Sequence, residues 1–189
     1  MSIFIKKYQE SLKYFFDNFD YNNLKIILNL INKKKNIYFI GIGKSYNLAL
    51  QTSDLFKSIG YKSFCLNTEK LLHGDLGAIN NDLIFIISKS GNTKELINLM
   101  PFLNNNYLIG IFCNNNSKLS KYCNLNIVLP CCNELDKFNL IPTVSFTIFN
   151  IFFNLLVCEL SENLTLEQYG KNHPAGDIGK KSNIKIINI

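Results

Sequence analysis

The sequence predicts an α/β fold: a five-stranded parallel sheet flanked by helices on both faces, with a helical N-terminal extension. Two observations carry this. Five short runs rich in Ile, Phe and Val recur at residues 37–40, 63–66, 83–87, 108–113 and 125–129, and the segments between them carry apolar residues at helical spacing. The strands read as apolar on both faces, as in a sheet covered on two sides, and alternation of strands with helices implies parallel pairing through crossovers.

In chain order, residues 3–19 and 22–32 read as two helices separated by a turn rich in Asn and Asp, packing on the sheet or on another subunit. After the first strand, Leu48, Leu50, Leu55 and Phe56 mark a crossover helix over residues 47–59. After the third, Leu96, Ile97, Leu99, Met100 and Leu103 mark another over 94–103. The long apolar segment 140–160 is interrupted by Pro142, Asn150 and Asn154 and contains Glu159, so a buried helix explains it better than a membrane span. A further helix begins within 165–169. No repeat with a period of 20 to 50 residues is visible.

The 189 residues fit one domain, residues 1–189, in which 1–35 form the N-terminal helices. With 47% hydrophobic and 18% charged residues the chain is too apolar for disorder. The net charge of +6 is spread thinly, its densest run being Lys33 to Lys35, and no nucleic-acid module accompanies it. No nucleic-acid partner is expected, and a modest positive field suits a small anionic ligand. None of the six cysteines forms a C-x-x-C pair, which predicts free thiols in a reducing compartment and no metal site. The N-terminus lacks the apolar core of a signal peptide, so a cytoplasmic protein with no membrane partner is expected.

In an open parallel sheet, ligands bind beyond the carboxyl ends of the strands. Gly41-Ile42-Gly43-Lys44-Ser45 follows the first strand and opens a helix, where glycines admit a ligand and helix amides face an anion. It is neither a P-loop nor a dinucleotide fingerprint, for want of the required glycine spacing. Ser88-Lys89-Ser90-Gly91-Asn92-Thr93 follows the third strand and precedes Glu95. Capping a helix needs one hydroxyl, and three at this place read as a phosphate cradle. The only two histidines, His73 and His173, lie in the Gly-rich segments His73-Gly74-Asp75-Leu76-Gly77 and His173-Pro174-Ala175-Gly176-Asp177-Ile178-Gly179, a setting unlike that of a core histidine.

These four segments, in this order, resemble the SIS sugar-isomerase family, whose fold is flavodoxin-like, and within it the arabinose 5-phosphate isomerases. The resemblance runs from about Asn36 to Lys181. It implies interconversion of D-arabinose 5-phosphate and D-ribulose 5-phosphate through an enediolate, without a cofactor, supplying the aldose for the eight-carbon acid sugar Kdo of lipopolysaccharide. By matching motif positions it implies Lys44, His73, Glu95 and His173 as catalytic residues. Gly43, Ser45, Ser88, Ser90, Gly91, Asn92, Thr93 and Thr143 would hold the substrate and its phosphate. Glu95 or one histidine would move the carbon-bound proton, and Lys44 would offset enediolate charge.

The resemblance further implies a homo-oligomer, tetramer or dimer, in which His173 completes a neighbouring subunit's site, with the apolar face of Ile148 to Leu160 as a candidate contact. Three positions depart from the family pattern: Tyr46 and Asn92 stand where glycine and glutamate are usual, and Asp177, expected to point away from a phosphate or to pair with Lys180 or Lys181, stands where a small residue is usual. Ending at Ile189, the chain would lack the CBS regulatory pair of many relatives. Two other readings stay open: an isomerase of hexulose or heptulose phosphates, and a non-catalytic sugar-phosphate sensor. A dinucleotide-binding domain fails for want of a third glycine and a ribose-binding acid.

Overall fold

The computed structural model describes residues 2–182. Its elements are α1 (Ile3–Asn18), α2 (Asn22–Ile31), β1 (Ile37–Ile40), α3 (Lys44–Ser58), β2 (Ser63–Leu66), α4 (Thr68–Leu71), β3 (Leu83–Ile87), α5 (Lys94–Leu99), β4 (Tyr107–Phe112), β5 (Leu125–Val128), α6 (Val144–Ser161), α7 (Leu166–Asn172) and α8 (Gly176–Lys181). The five strands form one sheet in the order β2-β1-β3-β4-β5, and every pairing is parallel.

Side-chain alternation along each strand explains the two layers of helices. Ile37 and Phe39 of β1, with Phe85 of β3 and Ile109 of β4, face the core made with α1, α2, α3 and α6. Their neighbours Tyr38, Ile40, Ile84, Ile86 and Leu108 face a second core that includes Leu71, Leu96 and Leu99 of α4 and α5. In the first core Phe39 stacks on Phe85 at 5.0 Å between centroids, and Phe153 of α6 meets both edge-on at 5.8 and 5.9 Å.

The N-terminal helices belong to this core: Phe15, Ile27 and Ile31 are fully or almost fully buried, and Phe19 meets Phe152 of α6. They pack on the chain's own α6. α6 is long and apolar enough to cross a membrane by length and composition, yet Ile148, Phe152, Phe153 and Leu156 are completely buried in the first core. That part of the face expected to make a subunit contact is covered inside the chain, while Ile151, Leu155, Val157 and Leu160 are only half-buried. α5 stops at Leu99 and tightens into a 3-10 turn through Pro101, whose ring cannot continue the helix, where one helix to residue 103 was expected.

Candidate functional site

β1 and β3 are neighbours, but the chain leaves β1 toward β2 on one side and leaves β3 toward β4 on the other. Such a switch point opens a crevice at the carboxyl ends. Ile40 pairs with Ile86 in register, so the Gly41–Ser45 turn and the loop beginning at Ser88 leave the sheet side by side. Gly41 is required there, because a Cβ would lie 2.6 Å from the Ser45 carbonyl. Lys44 begins α3 with its side chain exposed, and Ser45 is half-buried. Gly43 and Tyr46 line a cavity of about 250 Å³ that Asn67, Thr68 and Glu69 close from the end of β2.

The loop after β3 is braced almost residue by residue. The Ser88 hydroxyl is buried, lies 3.0 Å from that of Thr93 and accepts the Gly91 amide at 3.2 Å. The amides of Ser88 and Cys113 tie the loop to β4 through the Ile111 and Lys89 carbonyls, and the Asn114 side chain donates to the Ser90 carbonyl. The Ser90 hydroxyl accepts the Asn92 amide. Asn92 uses its own side chain as a brace, donating to the Ser90 carbonyl and accepting the Lys118 amide at 3.0 Å. Gly91 has φ +64 and lies against Ser117, whose hydroxyl donates to the Gly91 carbonyl at 3.0 Å.

His73 is exposed beyond α4, and Glu95 is exposed in the first turn of α5. α4 and α5 touch, so the two residues come from adjoining elements of one layer. His173 is elsewhere. Asn172 donates to the carbonyl of Ser58, the last residue of α3, at 3.1 Å. Lys44 is the first residue of that helix, and at about 1.5 Å per residue its length separates the two ends by roughly 20 Å. The His173 ring stacks on Tyr169 at 4.3 Å, and its Nδ1 lies 3.0 Å from the Tyr169 carbonyl. A carbonyl oxygen only accepts, so Nδ1 is the donor of that contact. Among the described residues no ion pair joins Asp177 to Lys180 or Lys181, and no group of three His, Cys, Asp or Glu could hold a metal.

Sequence reasoning passed over a buried carboxylate. The Glu134 side chain is completely buried and accepts from the amides of Thr143, Val144 and Ser145 at 2.9, 2.6 and 3.2 Å, from the hydroxyls of Thr143 and Ser145, and from Lys89 at 2.7 Å. Burial alone would raise its pKa; Lys89, the Ser145 hydroxyl and the backbone amides outweigh burial and hold it below the ordinary glutamate value. Thr143, expected at the substrate, turns its hydroxyl toward Glu134 and the Leu135 amide. The one available signal was an acid, with Asp136 near it, in the polar segment that precedes a long apolar helix.

Cys113 and Cys131, expected as free thiols, are joined by a disulfide. They stand just past the carboxyl ends of neighbouring parallel strands with Cα atoms 5.7 Å apart, within bonding range, and a separation of 18 residues escapes any search for short spacings. Cys65, Cys123, Cys132 and Cys158 remain thiols.

A family model described as SIS domain matches residues 30–157. An uncharacterized protein of Chlamydia trachomatis is 37% identical over 186 residues, 95% of this chain and 56% of its own length. The arabinose 5-phosphate isomerase KpsF of Escherichia coli is 32% identical over 169 residues, 86% of this chain and 53% of its own. The chain thus spans about half the length of the curated relatives it matches. The solved structure of E. coli CFT073 c3406 in complex with arabinose 5-phosphate superposes with a TM-score of 0.84 at 28% identity, covering 90% of this chain and 94% of that one.

Proposed function

This chain belongs to the SIS domain family, and from that premise we propose that it is a cytoplasmic sugar-phosphate isomerase interconverting D-arabinose 5-phosphate and D-ribulose 5-phosphate, feeding Kdo synthesis. One observation carries the reading: a rigid, hydroxyl-bearing loop leaves β3 beside the turn that presents Lys44, at the switch point of the sheet. The likeness to a chain solved with arabinose 5-phosphate and to KpsF supports the choice of sugar.

The phosphate sits at Ser88, Ser90 and Thr93, where hydroxyls and loop amides donate to its oxygens. With the phosphate anchored, the sugar carbons reach toward the exposed residues of the α4 and α5 layer. Glu95 or His73 takes the proton from C2 of the aldose and returns it to C1, while a hydroxyl proton passes from O2 to O1. The enediolate between these steps carries negative charge that Lys44 offsets. The place of His173 at the far end of α3 supports a further part of the proposal, in which it serves a neighbouring subunit's crevice in a homotetramer or dimer.

The test is a coupled assay of D-ribulose 5-phosphate formation, with hexose and heptose phosphates run in parallel. Turnover of the pentose phosphate that is lost in His73→Ala supports the reading. Stabilisation by sugar phosphates without turnover of any would replace it with the sensor reading.

A further inference from the structure

The loop after β3 is tied to β4 and to the segment following it through the Ser88 amide and the carbonyls of Lys89, Ser90 and Gly91, so the freedom left to Lys89 lies mainly in its side chain. Glu134 removes that freedom. The Lys89 ammonium lies 2.7 Å from Glu134 Oε1, yet 40% of the Lys89 side chain remains exposed while the Glu134 side chain has no exposure at all. An ammonium has three donors, and this bond occupies one.

The partnership does not neutralise the cation. The charge of Glu134 is shared among three backbone amides and two hydroxyls at the start of α6, a helix of 18 residues whose N-terminus itself favours an anion. A lysine on a free stem loses several rotamers when it binds an anion, whereas one already tethered has lost them on folding. Lys89 is also flanked by Ser88 and Ser90, the hydroxyls already assigned to phosphate.

We infer that Glu134 is a positioning residue that holds Lys89 as a fixed cation at the phosphate loop, making Lys89 a binding residue for the phosphorylated end of the substrate. The inference rests on the isomerase reading for the identity of the sugar but not for the anion it binds. It predicts that affinity for a monophosphate depends on the charge at residue 89 and on its tether, beyond what the hydroxyls supply.

Calorimetric titration with inorganic phosphate and steady-state kinetics with D-arabinose 5-phosphate, on wild type, Lys89→Met, Lys89→Arg and Glu134→Gln, test it. Lys89→Met should weaken phosphate binding about tenfold and raise KM by a similar factor, with a smaller change in kcat, while Lys89→Arg stays within about threefold of wild type. Glu134→Gln should weaken phosphate binding in the same direction; if it fails to fold, the two Lys89 variants decide alone. A folded Lys89→Met with wild-type phosphate affinity and KM overturns the inference. A wild type that binds phosphate through Lys89 but turns over no sugar would retire the isomerase reading and keep this one. A wild type that neither binds phosphate nor turns over sugar retires both.

Discussion

Replacing Gly91 by alanine tests whether the phosphate loop is as tightly packed as its contacts imply. The added Cβ would meet Ser117 Oγ at 1.9 Å, Ser117 Cβ at 2.4 Å and Phe112 Cδ1 at 3.2 Å, on a residue whose φ is +64. The left-handed backbone costs alanine about 1 kcal/mol, and overpacking against the Ser117 and Phe112 side chains costs about 1–3 kcal/mol more. Ser117 cannot swing aside freely, because its hydroxyl donates to the Gly91 carbonyl and accepts the Ser120 amide. A loss of about 3 kcal/mol in a chain of this length lowers Tm by roughly 6–12 °C. Thermal denaturation followed by circular dichroism reads the first effect, and phosphate titration of the folded variant reads the displaced loop. A variant melting within about 2 °C of wild type, with its phosphate affinity intact, would refute the reasoning, since such a shift corresponds to less than the backbone term alone.

Lys44→Ala and His73→Ala should each lower kcat by about 10²–10⁴-fold while stabilisation by sugar phosphate persists, measured by the coupled assay beside a thermal shift. Because Glu134 is held below its ordinary value on folding, its contribution is complete above the unfolded pKa of about 4.3 and is lost as pH falls through the folded pKa. The difference in melting temperature between wild type and Glu134→Gln should therefore shrink on acidification from about pH 6 to about pH 3. A thiol titration of the unfolded, unreduced chain should find the four cysteines outside the disulfide, and all six after reduction. In the folded chain Cys65 and Cys123 should react slowly, because burial pushes their thiols up to about 11 and about 12 and leaves little thiolate.

The strands were legible because β1, β3 and β4 are apolar runs buried on both faces, a pattern that needs no knowledge of the neighbours. Their order was legible only as far as parallel pairing; the switch point beside β1 emerges from topology. The Gly41–Ser45 and Ser88–Thr93 segments announced themselves by residue type at strand ends. Glu134 did not, since within Asn133-Glu134-Leu135-Asp136 it resembles any polar loop residue and acquires its partners only when β5 and α6 bring it to Lys89. The disulfide was hidden for the same reason: its closeness is a property of adjacent strands rather than adjacent positions. The apolar face of α6 was visible, but hydrophobicity does not say whether the surface that covers it belongs to the same chain.

The tie between Cys113 and Cys131 has a consequence for how the sheet opens. Among the described residues β5 is one of two edge strands, paired on one side, with Asn126 exposed and Ile127 its one fully buried residue. An edge of that kind ordinarily frays as a unit of its own, well below the free energy of global unfolding. Closing a loop of 18 residues removes chain entropy worth about 3 kcal/mol from any state in which β5 has left β4. Amide hydrogens of β5 should then exchange at rates close to those of β4 in the oxidised chain, and separate from them once the bond is reduced. The strand that leads to Glu134 would thus share the cooperative unit of the central sheet.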